Sequence, residues 1–250
     1  MKDLNWNIIR LETTGSTNED AFHAGLSGAA DGTVFVAGQQ TAGRGRLDRQ
    51  WFSPAGCGLY ASVLVRPSIS ARDTGLLSFC SANAMNSALH LHGAGDSAIK
   101  WPNDIVIRGK KVCGILSVGR FNQQKLDFAV IGTGVNIKTG SYPEELSDRA
   151  ACLEEMDIHV DTEELLRDYL RELSGEIGRL ETAGPEDIIQ STVKQCLTIG
   201  REVVVVGPDR YSGTAVGIGS EGELIVETKT GEIRRVNAGD VSVRGIMGYT

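Results

Sequence analysis

A chain of 250 residues, 41% hydrophobic and 23% charged, has room for one large or two unequal folded units around a substantial core. A formal net charge of -7 and a pI of about 5.2 exclude a general nucleic-acid binder, which would carry a basic footprint, and DNA is not expected as a partner. No apolar run reaches the length a membrane helix needs, so no membrane association is expected, and the polar start Met1-Lys2-Asp3-Leu4-Asn5-Trp6-Asn7 is no signal peptide. Five scattered cysteines (Cys57, Cys80, Cys113, Cys152, Cys196) without Cys-x-x-Cys spacing read as free thiols in a reducing cytosol.

The elements follow in order. Asn7 to Leu11 reads as a short strand, and Ser16 opens a helix with Glu19 three residues on, as in a capping box. Thr33 to Gly38 reads as a strand leading into the arginine-rich stretch, and Leu59 to Val65 as a strand stopped by Pro67. Apolar residues at helical spacing predict a long buried helix over Asp73 to Leu91. Ile105 to Ile107 and Val112 to Val118 flank Arg108-Gly109-Lys110 as a hairpin, and Leu126 to Ile137 reads as a strand interrupted by Gly132 and Gly134. Glu163 to Leu180 and Glu186 to Cys196 read as helices, capped by Asp161 or Thr162 and opened by Pro185. The last 50 or so residues change character. Glu202 to Val206, Thr214 to Ile218, Glu223 to Glu227, Glu232 to Val236 and Val241 to Val243 predict a small five-stranded barrel, joined by Gly-Pro-Asp, Gly-Ser-Glu-Gly, Lys-Thr-Gly and Ala-Gly-Asp turns. The expected organisation is therefore 1–197 and 198–250.

Five segments carry side chains that no core pattern requires. In Gly43-Arg44-Gly45-Arg46-Leu47-Asp48-Arg49-Gln50-Trp51, three always-charged guanidinium groups and two glycines suggest a loop that closes over an anion, with an aromatic platform at its end; an exposed basic turn is the plain alternative. Ser16-Thr17-Asn18 brings hydroxyls, an amide and free N–H groups to a helix start, which can hold a polar or anionic group or simply cap the helix. Gln40, at a strand end, offers an amide to a ligand or to solvent. In Lys100-Trp101-Pro102-Asn103-Asp104 a lysine beside a large aromatic and a rigid turn can be held to stabilise charge on a phosphoryl or acyl oxygen; otherwise Trp101 is core and Lys100 surface. Gly132-Thr133-Gly134-Val135-Asn136 lacks the third glycine and the strand-to-helix position of a dinucleotide fingerprint. Its glycines instead let a flat ring lie on backbone, with Asn136 near an adenine edge. No GxxxxGK[ST], GxSxG or HExxH occurs, so an enzyme of this make-up works by positioning and electrostatics, not through its own nucleophile.

Taken together and in this order, with Trp51-Phe52-Ser53-Pro54, Lys111 and Gly114-Ile115-Leu116 between them, these segments resemble the bacterial biotin protein ligases over nearly the whole chain. The resemblance implies an α+β fold: a mixed sheet with helices on one side, related to class II synthetases, followed by a small SH3-like barrel. It implies an adenylate-forming ligase that makes biotinyl-5′-AMP from biotin and ATP with Mg²⁺. The biotinyl group then passes to one lysine of a biotin carboxyl carrier protein. By motif, Ser16, Thr17, Asn18 and Gln40 would meet the ureido end of biotin or its nearby chain, with Gly114 also on the biotin side. Arg44, Gly45 and Arg46 would order over biotin and the phosphate. Arg49, Trp51, Asn103, Lys111 and Asn136 would bind the nucleotide, Trp51 covering adenine and Asn136 bonding to it. Lys100, with Arg46, would stabilise charge in both half-reactions. No resident metal is implied. Relatives are often dimeric, and the edge of the central sheet is the place expected for a homodimer. A lipoate or octanoate ligase or transferase is the enzymatic alternative, and a non-catalytic biotin sensor the alternative of another class.

Two departures stand out. The chain begins almost at the catalytic segment, so no operon-binding helix-turn-helix is expected before Ser16. Many relatives have Arg-Gly where this chain has Leu47-Asp48, exchanging a positive charge for a negative one. Replacing the pair, Leu47→Arg/Asp48→Gly, is expected to slow escape of the adenylate; an off-rate unchanged from the parent chain contradicts this reading.

Overall fold

A computed structural model of the chain describes residues 4–207, 210–237 and 242–245. Within the expected elements, Met1 to Asp3, most of the Gly-Pro-Asp turn, the Ala-Gly-Asp turn and Val241 lie outside the described residues.

Seven strands form the larger sheet: β1 (Asn7–Thr14), β2 (Thr33–Gln40), β3 (Gly58–Val65), β4 (Ala98–Lys100), β5 (Asp104–Ile107), β6 (Lys110–Asn122) and β7 (Lys125–Asn136). Their order is β1-β2-β3-β7-β6-β5-β4. Only β1 and β2 run parallel, the other pairs being antiparallel, so the sheet is mixed as expected. The parallel ladder continues to Thr14 opposite Gln40, which carries both strands beyond their apolar cores and brings Gln40 beside the start of the next helix. β6 and β7 close through Gln123 and Gln124, both at positive φ, the conformation that matches a two-residue turn to strand twist.

Side-chain alternation sorts the sheet into two faces. Ala61, Val63, Val65, Ala129 and Ile131 lie in the main core with α2 (Leu77–Leu91), α3 (Thr162–Thr182) and α4 (Pro185–Gln195). Phe35, Leu64, Phe128 and Val130 face the other way, against Ala21 and Phe22 of α1 (Thr17–Leu26). The helices are thus not all on one side, because α1 needs its own apolar seat. That seat covers only part of its face, and further along β7 the same face passes from Phe128 and Val130 to Gly132, Gly134 and Asn136. There the sheet lies open and the cleft begins.

Local expectations held where a strong signal had no competitor. Asp161 caps α3, accepting from the N–H groups of Glu163 and Glu164, and Pro185 opens α4. Two did not hold. The helix expected over 73–91 is a 3-10 turn at Ala71–Leu76, and α2 proper starts at Leu77; Gly75 is a poor helix former, and Thr74 Oγ1 bonds back to the Ala71 carbonyl. The capping box of Ser16 and Glu19 does not form. Glu19 is drawn to Arg44, and the Thr17 N–H is taken by the Gln40 amide.

The C-terminal strands β8 (Glu202–Val206), β9 (Tyr211–Ile218), β10 (Leu224–Thr228), β11 (Ile233–Val236) and β12 (Ser242–Gly245) make one antiparallel sheet in the order β11-β10-β9-β8-β12. Five strands were expected and five are present. Among the described residues no ladder joins β11 to β12, so the barrel is not closed; each of these edge strands is four residues long and pairs with one neighbour. All five cysteines are unpaired. No helix among the described residues is long and apolar enough to cross a membrane.

A buried hydroxyl cluster ties the helix layer to the strand beneath the cleft. The Tyr169 hydroxyl of α3 stands 2.8 Å from Ser81 Oγ of α2 and 2.9 Å from Thr133 Oγ1 of β7. Burial, opposed by those two hydroxyls, pushes the phenol up to about 12, so it acts as a neutral hydrogen-bonding group. Tyr169→Phe should cost about 1 to 2 kcal/mol in urea unfolding, since two buried hydroxyls lose a partner. A loss within error of zero would show that Ser81 and Thr133 satisfy each other.

Candidate active site

The site residues named from the sequence all line one cleft of about 1040 Å³ on the α1 face of the large sheet. Its floor is backbone. Gly114 of β6 and Gly134 of β7 stand opposite each other in register, and Gly132 faces Leu116 two pairs further along. The expected flat ring is there, but it belongs to the protein. A Cβ on Gly134 would run into the Trp51 indole, and one on Gly114 would stand 2.9 Å from it. The glycines are required because the indole lies directly on the sheet.

One end of the cleft is a hydrogen-bonded polar cluster. Gln40 Oε1 accepts from the Thr17 N–H at 2.9 Å and from Thr17 Oγ1 at 3.1 Å, and Thr17 Oγ1 also meets Ser62 Oγ at 2.8 Å. Gln40 Nε2 donates to Ser53 Oγ at 2.9 Å, and Ser53 Oγ donates to the Trp51 carbonyl. Asn18 Nδ2 points at the Leu116 carbonyl at 3.4 Å. Ser16 is buried beside them. Each side chain is thereby fixed in rotamer and in donor or acceptor role, the condition for recognising a polar ligand end.

The arginine stretch folds over this floor as a closed loop. Its stem is a bridge between Arg44 and Gln50, with the Gly45 N–H donating to the Arg49 carbonyl and the Trp51 N–H to the Gly43 carbonyl. At its tip Leu47 and Asp48 both have positive φ, 56° and 54°, a region costly for a branched aliphatic residue and easier for Asp. Leu47 is 53% exposed there. Arg44 pairs with Glu19 at 3.0 Å and stays outward. Arg46 turns inward, and its Nη1 donates to Asn103 Oδ1 at 2.9 Å. Burial pulls the Arg46 guanidinium below its ordinary value; Asp104 opposes that and Arg49 adds to it. A guanidinium still keeps its charge under such a shift.

The facing wall comes from the turn between β4 and β5. Lys100 ends β4 at 6% exposure, and Trp101 and Pro102 follow through a cis peptide bond. Asn103 is clamped to β6, donating to the Ile115 carbonyl at 2.6 Å and accepting the Ile115 N–H on its own carbonyl. Lys111 Nζ lies 2.6 Å from Asp104 Oδ1 and 5.2 Å from the centre of the Trp51 ring, a charge held between a carboxylate and a π face. Asn136 is 3% exposed, and its Nδ2 donates to the Ala151 carbonyl at 3.1 Å, so one of its amide protons is already used within the protein.

A third wall was not anticipated. Residues 141–150 leave the end of β7 and return along β6, where the Lys111 N–H donates to the Arg149 carbonyl and the Ala151 N–H to the Lys111 carbonyl. Ser141, Tyr142 and Pro143 border the cleft from this segment. Gly140-Ser141 and Pro143 do signal a turn in the sequence, but nothing in them signals that the turn folds back over the sheet. Ser53 and Ser62 were also missed, being ordinary strand and loop serines until Gln40 and Thr17 are placed beside them. Trp51 Nε1 and Ser141 Oγ are buried polar atoms without a hydrogen-bond partner among the described residues.

Comparison with known proteins agrees with this geometry. Residues 11–136 match the biotin/lipoate A/B protein ligase family, and residues 198–244 match the biotin protein ligase C-terminal domain. The biotin–[acetyl-CoA-carboxylase] ligase of Mycobacterium tuberculosis is 34% identical over 91% of this chain and 85% of that protein. That of Paracoccus denitrificans is 31% identical over 88% of this chain and 94% of that protein. The solved biotin protein ligase of Aquifex aeolicus, in complex with biotin and ATP, superposes with a TM-score of 0.81 at 30% identity, covering 96% of this chain and 99% of that one. The chain belongs to the biotin protein ligase family.

Proposed function

We propose that this cleft joins biotin to ATP and passes the biotinyl group to a lysine of a carrier domain. The observation that carries the reading is the convergence of Lys100, Arg46 and Lys111 on one buried cleft of an acidic protein, beside a fixed cluster of hydroxyls and amides. In the first step a carboxylate oxygen of biotin attacks the α-phosphorus of ATP, the bond to pyrophosphate breaks, and biotinyl-5′-AMP forms. In the second the carrier amine attacks the acyl carbon, AMP leaves with the bonding electrons, and the amine loses a proton as the amide forms. Neither step needs a nucleophile from the protein. Both need two anions, or an anion and a developing charge, held together against repulsion, which fixed cations in a low-dielectric cleft supply. Mg²⁺ accompanies ATP as part of the substrate.

The roles follow from position. Thr17, Gln40, Asn18 and Ser16 take the ureido end, with Gly114 on the floor below the chain. Arg44, Gly45 and Arg46 close over the junction, and Lys100 faces carboxylate and α-phosphate. Trp51 offers the adenine platform, with Asn136, Asn103, Lys111 and Arg49 around the nucleotide. Asn136 has one amide proton and its oxygen for this purpose, since Ala151 takes the other proton. We take 1–197 as the catalytic unit and 198–250 as a separate small unit; the change from helices to short strands after α4 supports this. Unpaired cysteines support a reducing, cytoplasmic setting, and the net charge of -7 argues against DNA. A homodimer fits the β1 edge better than the β4 edge, because residues 196–198 already flank β4.

Lys100→Ala should lower biotinyl-adenylate formation by about 10²- to 10³-fold, the usual effect of removing one charge-stabilising donor, with a smaller change in biotin affinity. Wild-type turnover in that variant, by rapid-quench assay, would remove Lys100 from the mechanism. Gly134→Ala forces the indole off the floor. It should weaken ATP binding in calorimetry at least about tenfold while biotin, held at the Thr17 and Gln40 end, binds within about threefold of wild type. Equal losses for both ligands would show that the floor is shared.

A further inference from the structure

The outer edge of the large sheet, β4, is held by the chain that leads into the small sheet. Cys196 is bridged in parallel to Ile99, the Leu197 N–H donates to the Ile99 carbonyl at 2.9 Å, and Thr198 Oγ1 accepts the Trp101 N–H at 3.1 Å. A second tie reaches further. The Trp101 indole N–H donates to the Gly222 carbonyl at 3.0 Å, across 121 residues of sequence.

Gly222 sits in the turn between β9 and β10, and that turn is braced. Its N–H donates to the Gly219 carbonyl at 3.0 Å, and the Gly219 N–H donates to the Glu223 carbonyl at 2.8 Å. Glu223 Oε2 accepts the Glu221 N–H at 2.9 Å, and its other carboxylate oxygen pairs with Arg235 of β11. Burial opposes the charge on Glu223, but the N–H groups of Glu223 and Glu221 and the Arg235 guanidinium hold its carboxyl below the usual carboxylate range. Gly222 has φ +86°, and a Cβ there would stand 3.2 Å from the Phe79 ring and 3.3 Å from Leu76, so the turn is seated on the start of α2. Neither Glu223 nor Arg235 borders the cleft.

Lys100 is the neighbour of Trp101, at the end of a strand only three residues long. Three residues give few ladder bonds, so the place of Lys100 depends on what holds the residue after it. Trp101 is 2% exposed and anchored by both its backbone and its side-chain N–H.

We propose that the small sheet positions Lys100 for the first chemical step, through the hold of turn 219–223 on the Trp101 indole. This rests on the adenylation reading above, with Trp101 as a positioning residue. The Trp101 ring also borders the cleft, so direct contact with substrate is the competing explanation, and the test separates the two.

The test is a double-mutant cycle on single-turnover biotinyl-adenylate formation, using Trp101→Phe, Lys100→Met and the double variant, with Glu223→Gln alongside and thermal melts for all. Trp101→Phe keeps an aromatic in the core and deletes the N–H. It should lower the rate about tenfold with the biotin KM within about twofold, as small misplacements of a reacting group do. In the Lys100→Met background the same change should have no further effect, since coupled residues are not additive. Glu223→Gln, outside the cleft, should slow the step about threefold at unchanged biotin KM. A wild-type rate in Trp101→Phe overturns the proposal. So does a slowing that persists in full without Lys100, or a folded Glu223→Gln at the wild-type rate. If the unmodified protein makes no adenylate from biotin and ATP, the reaction itself is wrong, a result distinct from any of these.

Discussion

Gly114 and Gly134 face each other across β6 and β7, and the cleft exists because neither carries a side chain. Further along the same face of β7, Phe128 and Val130 bury themselves under α1. Where the glycines replace such residues the sheet exposes backbone, and only a flat group can lie there. Trp51 takes that position, and its indole sets where the arginine loop must end. The loop in turn brings Arg46 to Asn103, and Asn103 is clamped to β6 through Ile115. A methyl group at either glycine would push the indole away and undo this chain of contacts.

Charge is the second organising term. The protein is acidic overall, yet its cleft gathers cations, and several are engaged by protein groups: Arg44 by Glu19, Lys111 by Asp104, Arg46 by Asn103. Asp104 compensates the charge of the part-buried Lys111, while Arg44 meets Glu19 near the surface and Arg46 has the Asn103 amide oxygen as acceptor. An incoming carboxylate or phosphate offers Arg46 a stronger acceptor than the neutral Asn103 amide. On the proposed reading, ligand binding exchanges these partners, and the Thr17–Gln40–Ser53 cluster orients the ureido end.

Much of this was legible in the sequence, for identifiable reasons. The strands, α3 and α4 showed clear periodicity and caps, and the motif residues carry charges or amides that a core has no use for. What escaped was set by partners distant in sequence. Ser16 and Glu19 look like a capping box until Arg44 draws the Glu19 carboxylate away and the Thr17 N–H turns to Gln40. Gly134 looked ready for a ligand ring, and the ring is Trp51, 83 positions earlier in the same chain. β4 is too short to show a period, and its ladder comes partly from residues 196–198. The wall at 141–150 reads as a loop because its own backbone bonds close only short turns, and its place over the sheet is set by the distant Lys111 N–H on the Arg149 carbonyl. Closure of the C-terminal barrel was inferred from the regular spacing of strands and turns, and spacing does not fix whether two short edges meet.

The most direct measurement is ATP–pyrophosphate exchange with MgATP and biotin, lipoate or no acid. The account predicts exchange that requires biotin, because adenylation at Lys100 and Arg46 is reversible and the polar cluster at Thr17 and Gln40 suits a ureido group. Exchange with lipoate alone would contradict the assignment of that cluster. No exchange from folded protein that still binds biotin would contradict the catalytic reading and make the cleft a binding site.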